Sequence, residues 1–405
     1  MLYKRITAFI FALYPILVIY QSPLPFVWGD LLLFLLALYG IIRYKYFSKL
    51  STTFFFLWGY VAITNIINSI GQLSITTFVP GGIMFFMFAI TYLFLCDALD
   101  YEKYKKCYKS IAIICVLFWA VQEFIYLFFG TRVSGLIPFM DVAGDVSVTN
   151  LIAIQQLGER SCSFFKEPAH FVQFLLPILC IDLFEVRGKK NISSFSWILI
   201  ACMVLSRSGN ALVGLAVILL FKFYYMFKRT DKRFINALFI ILFVTIGVYY
   251  YMNSEMGMSM LARMDEFDRE QSSGFLRVVR GFIIYSELPL INQLAGINFD
   301  VLESYLPKMS LFDFTGNTNE DLYVNGFQNI LLRSGFFGVL FYLFFFISIY
   351  RKTTDTGRSI IMLTFALSLI ANIYLAYPMM ICMVVSTIEM KLKNNDVNNI
   401  NSLKK

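Results

Sequence analysis

The feature that most constrains this chain is a series of apolar blocks, each about as long as a helix needs to cross a lipid bilayer. A spanning helix requires roughly 20 mainly apolar residues, with some latitude. About twelve suitable blocks follow one another, at 6–22, 26–42, 53–70, 79–96, 109–130, 169–186, 194–206, 209–227, 235–252, 326–350, 359–376 and 378–391. The sequence therefore predicts an all-α, polytopic integral membrane protein, with residues 1–405 forming a single membrane domain.

The composition excludes the main soluble classes. Of the 405 residues, 59% are hydrophobic and 15% are charged, whereas soluble domains carry about 25% charged residues. So few charges could not cover a water-facing surface of this size, and so much apolar content is incompatible with disorder. The net charge of +8 does not indicate nucleic acid, because Lys and Arg lie mainly in short runs between apolar blocks, where membrane proteins use them to fix orientation.

The basic runs also predict the orientation of the chain. If Lys4 and Arg5 are placed inside, every second connection between blocks carries a basic run on that same side. These runs are Arg43–Lys49, Lys103–Lys109, Arg187–Lys190, Lys228–Arg233 and Arg351–Arg358. The positive-inside rule, as it applies to bacterial-type membrane proteins, then places both termini in the cytoplasm.

Two long segments, 131–168 and 253–325, fall on the opposite, periplasmic side in this arrangement. Loops of this length are either functional or disordered. Apolar clusters within them, such as Leu151–Leu157 and Phe275–Ile291, favour order. We therefore expect two large periplasmic loops that contain interfacial helices along the membrane surface.

Arginines on the outer side are unexpected, because the positive-inside bias works against them. A guanidinium group binds phosphate oxygens through two parallel hydrogen bonds and stays charged at any relevant pH. Several such groups at the headgroup level would make a pyrophosphate-binding site; the candidates are Arg160, Arg207, Arg277 and Arg280. The alternative is that these arginines contact lipid headgroups or pair with acids, which is our interpretation of Arg263 and Arg269.

Glu167 is the candidate general base. It lies where the first long loop re-enters the membrane, directly before Pro168, a residue that suits the first turn of a helix. Glu167 could cap that helix with Lys166 as its ion partner, or it could accept a proton from a sugar hydroxyl. His170, one turn inside the same block, is the single histidine and fits a packing or capping role.

Other chemistries lack their motifs. We find no phosphate-loop motif, no GxGxxG after a strand and no CxxC pair, so no cofactor and no metal site is predicted. Asp30 and Glu123 lie within apolar blocks near the predicted outer face. Acidic residues in spans are functional candidates by default, but the sequence names no partner for either.

Three stretches share a pattern with a known family of membrane enzymes. They are Arg160–Phe171 with its Glu-Pro pair, the Ser206–Gly209 turn, and Arg280 followed sixteen positions later by Gly296. After them Asn325, Gly335 and Gly338 lead into an apolar span. With the two arginine-bearing outer loops, this layout resembles the O-antigen polymerase family of bacterial integral-membrane glycosyltransferases, within the superfamily shared with O-antigen ligases.

The resemblance implies a function. A polymerase of this family would transfer an oligosaccharide repeat unit en bloc from polyprenyl pyrophosphate to a second lipid-linked unit, in O-antigen or similar surface polysaccharide biosynthesis. Glu167 and Arg280 would be catalytic, and Arg160, Arg207 and Arg277 would join Arg280 in binding pyrophosphate. Membrane lipid would surround the protein, a chain-length regulator protein is a candidate partner, and no nucleic acid is involved.

Three other functions stay open. An O-antigen ligase-like glycosyltransferase has the same architecture, but it would carry a histidine directly before Asn325, where this chain has Val324. A lipid-linked sugar flippase or other transporter would be expected to show repeated halves and short loops on both sides. A non-catalytic subunit of an export complex is the third alternative, and no sequence feature excludes it.

Overall fold

A computed structural model describes residues 2–49, 52–69, 75–144, 147–158, 160–184, 192–229, 253, 276–297, 302 and 324–402. The predicted span 235–252 and most of the predicted loop 253–325 lie outside these residues. The helices are α1 (Leu2–Leu17), α2 (Trp28–Tyr44), α3 (Thr52–Ser69), α4 (Ile75–Ala98), α5 (Tyr101–Phe129), α6 (Val148–Leu157), α7 (Pro168–Phe184), α8 (Ser194–Leu205), α9 (Gly209–Arg229), α10 (Gly281–Glu287), α11 (Leu290–Ala295), α12 (Gly326–Lys352), α13 (Asp355–Ser368) and α14 (Tyr377–Ser402).

The all-α prediction is confirmed for the described part of the chain. Each predicted apolar block other than 235–252 coincides with one of these helices, although α13 stops at Ser368 and α14 continues to Ser402. The helices α5 and α12 are long and apolar enough to cross a membrane, and shorter apolar stretches lie in α3, α4, α7, α8 and α9. The number of spans remains a prediction.

The outer and inner helices differ in which side chains they bury. Helix α5 exposes Leu117, Phe124 and Leu127, a patch that a soluble protein would rarely leave open to water. Helix α7, in contrast, is apolar all round and buries nearly every side chain from Phe171 to Leu183, as expected for a helix at the centre of a bundle. These features suit a membrane protein whose outer helices face lipid.

Helices α7 and α14 form the centre. Helix α7 packs against α5, α8, α9, α13 and α14, and α14 packs against α4, α12 and α13. The start of α14 is buried on every side from Met379 to Val385. Helix α1 packs against both α5 and α2, and α3 packs along α12.

The bundle has two distinct ends. At the end that we call the arginine end, loop residue Val142 pairs with Tyr20 after α1, and the Tyr377 hydroxyl of α14 donates to the His170 carbonyl of α7 at 2.8 Å. At the other end, which we call the lysine end, Lys391 Nζ donates to Ser48 Oγ at 2.9 Å. The structure thus places these two groups of contacts at different ends of the bundle, and the side of the membrane that each end faces remains a prediction.

A kink in α12 positions the next element. Gly335 has a φ of 65° inside the helix, and a Cβ there would lie 2.3 Å from the Leu294 carbonyl oxygen of α11. Gly296, with a φ of 87°, would place a Cβ 2.2 Å from the Arg333 carbonyl oxygen. Only glycine allows this backbone approach and this φ, so the pair fastens the α10–α11 hairpin onto α12.

The predicted interfacial helix over Phe275–Ile291 is interrupted. Leu276–Arg280 is a π-helical turn, and α10 follows it directly. Helix α10 ends at Glu287, and the next helix, α11, begins only after Pro289. Arg277 and Arg280, the two candidate arginines of the second long loop, both belong to this π-helical turn, where residues three apart do not have the spacing of an α-helix. The side chain of Arg277 is outside what the structure describes.

Candidate functional site

The first long loop, 131–168, is folded tightly against the arginine end of the bundle. Gln122 of α5 donates from Nε2 to the Val133 carbonyl at 2.7 Å and accepts from the Ser163 amide at 2.8 Å. Gln155 of α6 donates to the carbonyls of Phe165 at 2.9 Å and Lys166 at 3.1 Å. Two buried glutamines therefore fix the path of the chain into α7.

Arg132 is a structural residue of this loop. It is 4% exposed, and its Nε donates to Ser161 Oγ at 2.9 Å while its guanidinium stacks 3.5 Å from the Tyr126 ring. Its Nη2 lies 3.5 Å from Glu123 Oε1. Glu123, which the sequence left without a partner, thus serves to hold the loop.

Arg160 and Arg207, two of the candidate pyrophosphate-binding arginines, are in contact. Arg160 Nη1 donates to the Arg207 carbonyl oxygen at 3.3 Å, which joins the end of the first loop to the turn between α8 and α9. Arg207 is exposed and has a φ of 53°, a left-handed conformation that a long side chain rarely adopts. The turn therefore exposes the Arg207 side chain, and its backbone carbonyl holds the Arg160 guanidinium.

Glu167 lies at the start of α7, as predicted, with Pro168 in the first turn. Its carbonyl oxygen accepts from the Phe171 amide at 3.2 Å, and its side chain is exposed. Lys166 Nζ donates to the Ala143 carbonyl; burial lowers the pKa of Lys166, and the negative charge of Glu167 opposes that shift. The Glu167 carboxylate therefore lies at the surface of the arginine end.

The electrostatic surroundings of Cys162 place Glu167 and Arg160 in one neighbourhood. Burial raises the pKa of the Cys162 thiol to about 12; the negative charge of Glu167 adds to this rise, and the positive charges of Arg132 and Arg160 oppose it. Both the carboxylate and the Arg160 guanidinium therefore act on the same sulfur. The thiol itself stays protonated at neutral pH and is not a nucleophile.

Backbone strain is concentrated near these residues. Ser163, Arg207 and Leu375 have φ values of 54°, 53° and 53°, and all three lie at the arginine end. Each such residue costs roughly 1–3 kcal/mol, and such strain clusters at functional sites. Ser163 lies three residues after Arg160, the Arg207 carbonyl accepts a hydrogen bond from Arg160, and Leu375 lies in the loop that leads into Tyr377.

Arg280 is positioned by a different part of the structure. It is 5% exposed, and its π-helical turn is held to α12 by Gln328, whose Nε2 donates to the Val278 carbonyl at 2.8 Å. Gly281 allows this contact, since a Cβ there would lie 2.6 Å from the Gln328 side chain. Asn325 caps α12 in a capping box with the same Gln328. That all the predicted arginines meet in one site remains a prediction.

The sequence reasoning missed Arg333 because it lies inside the apolar block 326–350. In the structure its Nε donates to Asn329 Oδ1 at 2.7 Å, and Asn329 Nδ2 lies 3.2 Å from Asn372 Oδ1. The available signal was the charge itself, because an arginine within a membrane span is a functional candidate by default. Counting only the charges between blocks concealed it.

The remaining candidates have structural partners. Asp30 accepts a hydrogen bond from the Tyr14 hydroxyl at 2.7 Å, and the His170 carbonyl accepts from Tyr377. Within the described ranges, no group of three or more His, Cys, Asp or Glu residues could hold a metal ion.

Comparison with known proteins identifies the family. No curated protein was found to match the chain. A family model described as WcaD colanic acid polymerase matches residues 29–391, a range that includes Glu167 and all the arginines discussed above. The resemblance to bacterial polysaccharide polymerases is thus confirmed, and the chain belongs to the WcaD colanic acid polymerase family.

Proposed function

We propose that this protein polymerises oligosaccharide repeat units carried on polyprenyl pyrophosphate, by en bloc transfer at the periplasmic face of the bacterial inner membrane. Family membership supports repeat-unit polymerisation and lipid-linked oligosaccharide substrates. The observation that carries the rest is the contact between Arg160 and Arg207 close to Glu167, at the end of the bundle opposite the lysine end. A chain-length regulator protein is part of the proposal as a further partner.

The proposed chemistry is a single displacement. The acceptor hydroxyl oxygen bonds to the anomeric carbon of the donor repeat unit while the bond from that carbon to the pyrophosphate oxygen breaks. The pyrophosphate leaves with the bonding electrons, and the hydroxyl proton passes to the Glu167 carboxylate as general base. The energy is already stored in the donor, so the reaction needs no nucleotide.

The arginines stabilise the leaving group in this proposal. Negative charge grows on the bridging oxygen as the bond breaks, and preorganised cations aimed at that charge lower the barrier. Arg160 is tied to the α8–α9 turn and Arg280 is buried against α12, so both are held before substrate arrives. Arg207 and Arg277 complete the proposed pyrophosphate-binding set.

The ligase alternative is disfavoured at Val324. This residue is 2% exposed and packs in a small apolar cluster with Ile284, Leu288 and Ile297. A ligase of this superfamily would have a histidine here, whereas the valine side chain cannot transfer a proton. The position therefore serves packing in this chain.

The direct test is deletion of the gene in its own host, with surface polysaccharide resolved by length on a gel. We expect chains to shorten to one repeat unit and recover with the wild-type gene. Complementation with Arg280→Ala should leave single units, and Arg280→Lys should restore only part, since lysine lacks the two-pronged geometry of guanidinium. Unchanged chain length in the deletion strain would refute the proposed function.

The placement of the site can be tested separately. Reporter fusions at Ser147 should report the periplasm and fusions at Lys106 the cytoplasm, because these residues lie at the arginine and lysine ends respectively. A cytoplasmic signal at Ser147 would contradict the periplasmic site while leaving polymerisation untouched.

A further inference from the structure

Arg333 lies in an environment where a charge is expensive. It belongs to α12, one of the two described helices long and apolar enough to cross a membrane. Burying an arginine in a span costs at least about 2.5–3.5 kcal/mol, and such residues mark ion or substrate sites by default.

Polar side chains hold Arg333 on one face of α12. Asn329 lies four residues earlier, on the same face of the helix, and accepts from Arg333 Nε at 2.7 Å. Asn372, in the loop between α13 and α14, contacts Asn329 in turn. Tyr374 of that loop lies close enough for the charge of Arg333 to act on its hydroxyl. The guanidinium is therefore held between α12 and the 369–376 loop.

An apolar groove begins beside this cluster. It has a volume of about 280 Å³ between α12, α13 and the start of α14, and its lining includes Phe327, Ile330, Tyr342, Phe365 and Met379. Ile330 lies three residues before Arg333, so the two side chains are neighbours on the helix. Tyr342 lines the groove and also meets the Tyr374 ring at a centroid distance of 6.3 Å. The lining of the groove and the Arg333 cation thus occupy neighbouring positions on α12.

We infer that this groove and Arg333 form a binding site for one of the two polyprenyl-pyrophosphate substrates, with the isoprenoid tail in the groove and a phosphate on Arg333. The inference rests on the proposed function, because that reaction brings together two lipid-linked substrates. A tail is apolar along its length and anionic at one end, which matches the groove and its cation. The volume lies slightly below the roughly 300–1,000 Å³ of ligand pockets, so the groove holds only part of a long tail.

One short loop connects the site to the start of α7, where Glu167 lies. The 369–376 loop, with Asn372 and Tyr374, leads into Tyr377. The Tyr377 hydroxyl donates a hydrogen bond to the His170 carbonyl at the start of α7. Glu167 is three residues before His170. A phosphate on Arg333 would therefore be separated from the Glu167 region by one short loop, and Arg160 and Arg207 remain for the second substrate.

The test uses the full-length protein in lipid nanodiscs, with farnesyl pyrophosphate and farnesol as probes. Hydrogen bonds to charged groups predict a tenfold to hundredfold loss of farnesyl pyrophosphate affinity in Arg333→Gln, with partial recovery in Arg333→Lys. Farnesol has no phosphate, so its binding should not change in Arg333→Gln. Ile330→Trp fills the groove and should weaken both probes.

Two matched controls on the same helix make the result specific. Arg351→Gln removes a cation from the lysine end of α12, and Phe336→Trp enlarges an exposed side chain outside the groove; neither should change binding. Equal losses in Arg333→Gln and Arg351→Gln, or full competition by phosphatidylglycerol at the same concentration, would overturn the inference. So would unchanged farnesyl pyrophosphate affinity in Arg333→Gln.

A cross-linking experiment tests whether the groove is open to lipid. Cysteines placed at Ile330 and along the block 235–252 should not form a disulfide in the membrane; efficient bridging would mean that the protein itself fills the groove.

The outcomes of these experiments distinguish this inference from the proposed function. If Arg280→Ala abolishes long chains but Arg333→Gln binds and polymerises normally, this inference fails alone, whereas normal chains in the deletion strain remove the proposed function whatever the probes show.

Discussion

The two ends of the bundle contain similar residue types but differ in how these residues are paired and in their backbone conformation. At the lysine end, charged groups are paired within the protein: Glu389 accepts from the Tyr101 hydroxyl at 2.8 Å and the Thr354 hydroxyl at 2.6 Å. The left-handed residue at that end, Lys45, follows α2 as an ordinary helix C-cap. At the arginine end, Arg207 takes the same conformation directly after Ser206, the C-cap residue of α8, and Leu375 takes it in the loop between α13 and α14. We propose that the lysine end mainly stabilises the fold and that the arginine end serves a ligand.

The same contrast recurs between two arginines of the arginine end. Arg132 is buried, and a hydroxyl, a carboxylate and a ring surround its guanidinium. Arg160 is partly exposed and reaches across to the carbonyl of another arginine. Arg132 and Arg160 are the same residue type and lie on the same predicted side of the membrane. Only the burial of each side chain and its contacts distinguish the structural arginine from the candidate site residue.

The largest effect should come from Arg132→Met, because it removes the partner of Glu123 inside the protein. Breaking a buried ion pair costs about 3–5 kcal/mol, and we expect the lower end because the Glu123 side chain is 31% exposed. Thermal unfolding in detergent should show a clearly lowered midpoint, together with reduced protein in the membrane. The double variant Arg132→Met/Glu123→Gln should recover part of the loss. A stable Arg132→Met protein that makes no polymer would instead move Arg132 into the site.

Arg160→Ala should leave stability nearly unchanged and lower polymer formation by about a hundredfold to a thousandfold, the range for removing one preorganised group that stabilises developing charge. The measurement is polymer length per amount of membrane-inserted protein. Arg160→Lys should restore part of the activity, since the charge returns without the paired geometry. Full restoration by lysine would mean that Arg160 only anchors the loop in the headgroup layer.

Glu167→Gln should reduce polymer formation by about a hundredfold, at the lower end of what a general base contributes. The substitution keeps the size of the side chain and the backbone of the α7 start, so the protein level should not change. Glu102→Gln, at an exposed acid of the lysine end, is the matched control and should behave as wild type. Chains of normal length in Glu167→Gln would return Glu167 to a capping role.

Much of the fold was predictable because the bilayer imposes a length and an apolarity on each span. The same rule led to Arg160 and Arg207, since arginines on the outer side stand out against a cytoplasmic bias. It could not find Arg333, because a single charge hardly changes the mean hydropathy of a long apolar block. It also could not pair Arg132 with Ser161, 29 residues away, or predict that Gly335 and Gly296 meet. Those contacts depend on how helices pack, which hydropathy does not encode.

The smallest effect should follow from Lys391→Met, at the lysine end. Lys391 donates to Ser48 Oγ at 2.9 Å and to the Cys96 carbonyl at 2.8 Å, so its loss should lower the unfolding free energy by about 1–3 kcal/mol. Polymer formed per folded protein should stay within about twofold of wild type, because surface charges away from a site contribute little to it. If Lys391→Met lowered activity per folded protein as much as Arg160→Ala does, the division between a stabilising end and a ligand-binding end would be wrong. A lowered midpoint with unchanged activity is the result that this division requires.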